Sequence, residues 1–189
     1  MKTIKSLKNK NLQQNNMRPA HNNLHLIVKS GYGLRIYVIF LVTLICSLTQ
    51  AATINFGTNG CTLQDAIRSA NNDNGVGNCT AGSGADVLVA PDVWTITLNS
   101  TLPTITSDVT IRTATNSGLL KISGDNDHAI MRITGNNTDV LLERVFITEG
   151  NASSVRGAGI HIEDAQVTLE NTIISFNSSR ARFGGAIYI

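Results

Sequence analysis

The sequence predicts an all-β protein: a parallel β-helix, or solenoid, with a short N-terminal capping α-helix. Three observations point there. Beyond Asp86 the chain runs in β-rich stretches of three to five residues, separated by Gly, Asn, Asp and Ser. Over the last fifty residues the sequence repeats itself at an offset of 27. Only Thr62 to Ala70 has the spacing of an amphipathic helix. Few aromatics (5%) and few charged residues (15%) argue against a helical bundle.

The leader comes first. Before Ile36 there are seven Lys or Arg and no acid; from Ala52 onward eight basic residues face thirteen acids, a net of −5. The basic charge sits in one terminal segment, so the overall charge of +2 is not a nucleic-acid signal, and no nucleic-acid partner is expected. Ile36 to Leu48 is a 13-residue apolar run followed by Thr49-Gln50-Ala51. A bilayer-spanning helix needs about 18 apolar residues or more. A basic region, a short apolar run and small residues at −3 and −1 read as a signal peptide over residues 1–51, cut between Ala51 and Ala52. A retained anchor is the lesser alternative, and Met17 is an alternative start. The mature chain is then exported, to the extracellular space or the outer-membrane surface, and has no membrane span.

Export fits the cysteines. After cleavage only Cys61 and Cys79 remain, and an even pair in an exported chain is most simply one disulfide. Two Cys and the distant His128 and His161 lack any metal-ligand spacing.

Residues 52–85 read as a cap. Leu63, Ala66, Ile67 and Ala70 make one apolar stripe, Thr62 and Asp65 suggest a capping box, and Asn71 to Gly75 ends the helix with turn chemistry. Residues 86–189 read as about four coils. Gly157-Ala158-Gly159-Ile160-His161-Ile162 recurs as Gly184-Gly185-Ala186-Ile187-Tyr188-Ile189. At the same offset Leu142-Glu143 meets Leu169-Glu170, and Phe146-Ile147-Thr148 meets Ile173-Ile174-Ser175. A period of 27 with three short strands suits one β-helix turn, whereas a propeller blade needs about 40 residues. Ile160, Ile162, Ile187 and Ile189 are expected to point inward, and the Gly pairs at 157/159 and 184/185 to form tight corners. The helix is expected to cover the first coil and shield its open edge.

Cys61-Thr62-Leu63-Gln64-Asp65-Ala66-Ile67, with Asn71, Cys79 and Gly84-Ala85-Asp86, resembles the N-terminal motif of exported bacterial β-helix proteins that usually reads Cys-Ser-Leu-Arg-Glu-Ala. It departs from that motif at Thr62, Gln64 and Asp65, and has Pro91-Asp92-Val93 where the family has a Pro-Ala-Gly turn. Phe176-Asn177-Ser178-Ser179 before Gly184-Gly185-Ala186-Ile187 resembles the repeats of polymorphic outer-membrane proteins. Gly150-Asn151-Ala152-Ser153 before Gly157-Ala158-Gly159-Ile160 is a degenerate copy. The resemblance implies a right-handed, pectin-lyase-like parallel β-helix whose better-known relatives are surface adhesins or autotransporter passengers.

Chemistry is thinner. Asp125, Asp127 and His128 form the only local acid–base cluster, but Gly124-Asp125-Asn126-Asp127 reads as a solvated turn. Glu163-Asp164 also reads as a turn; Arg180 and Arg182 as solvated; His161 as outward-facing; Trp94 as packed under the cap; Asn151 and Asn177 as corner residues bonding along the stack. No residue is assigned a catalytic, cofactor-binding or metal-ligating role. The expected function is non-enzymatic adhesion or surface presentation toward a carbohydrate or cell-surface ligand. The alternatives are the N-terminal part of a polysaccharide lyase or hydrolase, marked by in-phase carboxylates or Arg on adjacent coils, and a truncated frame without function. Ile189 closes a strand in mid-repeat, so further coils or a C-terminal cap are expected.

Overall fold

A computed structural model describes residues 50–153, 156–180 and 184–189. Nearly all of the leader, including Ile36 to Leu48, lies outside the described residues, as does Arg182. In chain order the elements are β1 (Thr53–Asn55), α1 (Leu63–Asn72), β2 (Asp86–Ala90), β3 (Val93–Thr97), β4 (Val109–Thr113), β5 (Leu119–Ser123), β6 (Met131–Glu143), β7 (Val145–Thr148), β8 (Asn151–Ala152), β9 (Ile160–Glu170), β10 (Ile173–Ser175), β11 (Ser178–Ser179) and β12 (Ile187–Tyr188). Every strand pair is parallel, and the chain winds through about four turns of a β-solenoid.

One face stacks β1, β2, β4 and the second halves of β6 and β9. A second stacks β3, β5, β7 and β10. The third carries the first halves of β6 and β9 with β12, joined at one end by a bridge from Ile105 to Ile133. β6 and β9 therefore each turn a corner between faces.

Apolar residues of successive coils stack in register, which removes them from water and brings like side chains into contact. Ile54, Leu88, Ile111 and Leu142 form one buried column, continued by the partly exposed Leu169. Ile96, Ile122, Ile147 and Ile174 form another. Met131, Ile160 and Ile187 line the third face. Ile189 departs from the alternation: pairing stops at Tyr188, and Ile189 is 87% exposed.

The corners recur as strictly as the strands. Left-handed backbone occurs at Asn137 and Asp164, Arg144 and Asn171, Glu149 and Phe176, and Gly157 and Gly184, each pair 27 residues apart. At Gly157 and Gly184 a Cβ would lie 2.5 Å from a carbonyl oxygen, so these corners need glycine twice over. The other corners are built from residues that pay a steric cost to stand there. Asn177 offsets part of it, since its Oδ1 accepts from the Gly150 N–H at 2.8 Å and its Nδ2 donates to the carbonyls of Ile147 and Ser175.

The cap differs from expectation in one respect. β1 pairs in parallel with β2, so a strand, not the helix, covers the β2 edge. Helix α1 instead inserts Leu63, Ala66, Ile67 and Ala70 into the core cluster. Its C-terminal end is tied down by Asn71, whose Nδ2 donates to the Thr104 carbonyl at 2.7 Å and whose Oδ1 accepts from the Thr106 N–H at 2.9 Å. At its start, Thr62 Oγ1 accepts from the Asp65 N–H at 3.1 Å. Thr62→Ala is expected to lower stability by about 1 kcal/mol, read from the urea midpoint at unchanged m-value. Cys61 and Cys79 are joined in a disulfide.

Candidate functional site

On the third face the strands alternate. Met131, Ile133, Ile160 and Ile162 are buried, and the residues between them point outward. Pairing sets Arg132 opposite His161, and His161 opposite Tyr188. Three side chains from three successive coils thus form one lane with a rise of about 4.8 Å per coil.

The lane is interlocked. The His161 and Tyr188 rings meet edge to face, with centroids 5.2 Å apart. The Arg156 guanidinium lies 4.9 Å from the Tyr188 ring centroid and donates to its hydroxyl. Arg132 donates to Glu163 Oε2 at 2.6 Å. That bond, together with the Arg132 charge, holds the Glu163 carboxyl below the usual carboxylate range. Burial and then the Arg132 charge hold His161 below the usual histidine range; Arg156 adds to this and Glu163 opposes it. At neutral pH His161 is therefore uncharged, and the charges in the lane are Arg132, Arg156 and Glu163.

Arg132, Arg156 and His161 border two hollows, and only the carboxylates are unevenly placed between them. On one side Leu102, Met131, Arg132, Arg156 and His161 line a hollow of about 310 Å³ that contains no carboxylate. On the other side a hollow of about 560 Å³ includes Glu163 and Asp164. On the first side the two arginines and His161 border a partly apolar hollow, which suits a ligand anion carried on an otherwise uncharged body.

His161 faces outward between two buried isoleucines. Glu163 is not a turn residue, however. It lies in β9 opposite Thr134, and only Asp164 turns the corner. Asp125, Asn126 and Asp127 form an exposed turn with His128 beside Asp127, 3.6 Å away. Among the described residues no three His, Cys, Asp or Glu side chains gather to hold a metal ion, and no helix is long and apolar enough to cross a membrane. Trp94 continues the inward column of Leu120 and Val145, but the cap does not close over it and it stays 38% exposed.

Sequence reasoning aligned His161 with Tyr188 through the 27-residue repeat but drew nothing from it. Arg132 escaped because its coil is offset by 29, not 27. Three residues, Gly135 to Asn137, stand there where the next coil has Asp164 alone. The signal was present, since Ile133 and Ile162 share the offset of 29. Arg156 lies in a connection between strands, and only the folded chain brings it to Tyr188.

No family model, curated protein or solved structure matches the chain.

Proposed function

We propose that the chain is an exported, surface-displayed solenoid that binds rather than cleaves, an adhesin whose lane of Arg132, His161 and Tyr188 engages an anionic carbohydrate or cell-surface ligand. The observation that carries this reading is the in-register row of Arg132, His161 and Tyr188, one basic and two ring side chains on adjacent coils rather than the repeated Arg or carboxylates that would mark a lyase or hydrolase. A solenoid repeats such a row at fixed spacing along an extended surface, which suits recognition of an extended ligand. The basic leader, the short apolar run, the disulfide and the resemblance to surface β-helix repeats support export.

The test is binding of the purified full chain to immobilised polygalacturonate and hyaluronan. Arg132→Ala and Arg156→Ala are each expected to weaken binding about tenfold, and added salt to weaken it further. Unchanged affinity in the double variant would falsify the reading. The His161 imidazole adds a sign. Its lowered pKa leaves it neutral at neutral pH, and a bound anion favours the protonated form. Affinity is therefore expected to rise as pH falls through the lowered His161 range, and His161→Ala to flatten that rise.

One observation favours a second reading. A neutral imidazole beside two arginines has the groups for β-elimination on a uronate: His161 takes the proton α to the carboxylate, an arginine offsets the carboxylate charge, and the glycosidic oxygen leaves with a proton from water as the ring double bond forms. An unsaturated product absorbing in the ultraviolet would establish it. Intact polymer after prolonged incubation would exclude it and leave binding.

A further inference from the structure

A different site lies between the cap and the first coil. The loop from Phe56 to Gln64 faces β3 across a cleft of about 440 Å³. Its geometry follows from the topology. β1 adds an end strand to the first face, but among the described residues no strand follows it on the second face, so β3 is an edge there. The disulfide at Cys61 holds the loop above that edge without pairing to it. Trp94 is exposed in the gap while part of its indole packs against Gly57, where an added Cβ would approach to 3.3 Å.

The lining decides the chemistry. It contains Trp94 and the polar residues Asn59, Gln64, Thr95, Thr97 and Asn99, with the Thr95 and Thr97 side chains on the face of β3 opposite Trp94, and no ionisable group outside the disulfide. Gln64, Thr95 and Thr97 form no side-chain hydrogen bond among the described residues. An aromatic face beside several neutral donors and acceptors matches a ligand with an apolar face and a rim of hydroxyls. We propose that this cleft binds a neutral saccharide, with its ring against Trp94 and its hydroxyls bonded to Gln64 and to the unpaired backbone of the β3 edge. The site is independent of the charged lane on the third face.

The chain has a single tryptophan, so its fluorescence reports this cleft alone. The purified full chain is titrated with cellohexaose, maltohexaose and chitohexaose, with polygalacturonate as the charged control. A saturable spectral shift with at least one neutral sugar is expected. Trp94→Ala, followed by calorimetry, should then weaken binding about tenfold or more. Because Trp94→Ala touches the cap, Gln64→Ala is the second variant: it leaves the indole in place and should weaken binding of the neutral sugar about tenfold. An unmoved spectrum across all three neutral sugars overturns the proposal, as does a shift with polygalacturonate alone. A shift produced only by an extended peptide overturns it in favour of strand addition at the open β3 edge.

A second inference rests on Asp86. Its carboxyl is fully buried; Oδ1 accepts from the Ala52 N–H at 3.0 Å and the Ser83 N–H at 2.8 Å, while Oδ2 has no partner among the described residues. We infer that cleavage after Ala51, on which this inference depends, completes the fold. Hydrolysis of that amide by a signal peptidase and water leaves a carboxylate on Ala51 and an α-ammonium on Ala52. A neutral hydrogen bond to a buried carboxylate becomes an ion pair. Supplying the missing partner of a buried charge stabilises, because that charge is already desolvated. A chain starting at Ala52 is expected to melt about 3 °C or more above the same chain extended by Gln50 and Ala51, with the gap closed by Asp86→Asn. Equal melting of the two wild-type chains overturns this. N-terminal sequencing of the secreted protein tests the cleavage site separately.

Discussion

Alanine at Gly118 is expected to cost about 3 kcal/mol or more, and to do so by unpairing the first coil. A Cβ there would sit 1.5 Å from the Asp92 carbonyl oxygen and 2.3 Å from its carbon. Both obstacles are backbone, so no rotamer relieves the overlap. Backbone movement is blocked as well. Immediately beyond these two residues, Val93 pairs with Leu119 and the register runs on for five residues. Behind them, Asp92 Oδ1 accepts from the Thr115 N–H, which pins the corner. Moving either segment means giving up the β3–β5 ladder or that corner. The urea midpoint should fall, hydrogen exchange should accelerate first along β3, and Trp94, two residues past the clash, should report the change in fluorescence. Asn116→Ala, at an exposed position in the same turn, should shift stability by no more than about 0.5 kcal/mol. Equal effects at 116 and 118 would show that the close approach is not what holds this corner.

Gly118 also marks the boundary of what could be read from the chain. In the sequence it is one more Gly before a β-rich run, and only the three-dimensional crossing shows that nothing larger fits. The columns of Ile and Leu were legible because parallel stacking puts the same chemistry at the same phase of each coil. The 27-residue repeat was legible only where coil length is constant. Val140 and Val167 stand 27 apart, but Asp86 and Val109 are 23 apart, and Val109 and Val140 are 31 apart. Corners absorb such differences freely, because a loop at a corner leaves the ladder intact. The corner residues themselves were illegible wherever Arg144, Glu149 or Phe176 adopts left-handed backbone, since nothing in those side chains announces it. The lane was half legible for the same reason: constant spacing exposed His161 and Tyr188, and a three-residue corner hid Arg132.

Reduction of Cys61–Cys79 is the other large perturbation, and its effect is expected to be local before it is global. Closing an 18-residue separation restricts the unfolded chain by about 3 kcal/mol in the loop-entropy account. The cap has a second set of attachments that reduction leaves untouched. Asn71 still bonds to Thr104 and Thr106, and β1 still pairs with β2. The loop of residues 56–64 is tied to the segment around Cys79 by the disulfide and by an exposed hydrogen bond from Asn78 Nδ2 to the Asn59 carbonyl at 3.0 Å. The C-terminal half of α1 should therefore stay docked while the loop and the segment around Cys79 open. Hydrogen exchange after reduction is expected to lose protection at residues 56–64 and 76–80 first, with the long β6–β9 ladder the last to yield. Trp94 faces that loop, so its emission should move toward the red in the same concentration range of reductant. A neutral saccharide held in the cleft should raise the reductant concentration needed, because it binds only the closed loop. Uniform loss of protection across all coils would mean that cap and solenoid form one cooperative unit. The disulfide would then support the whole stack rather than one wall of a binding cleft.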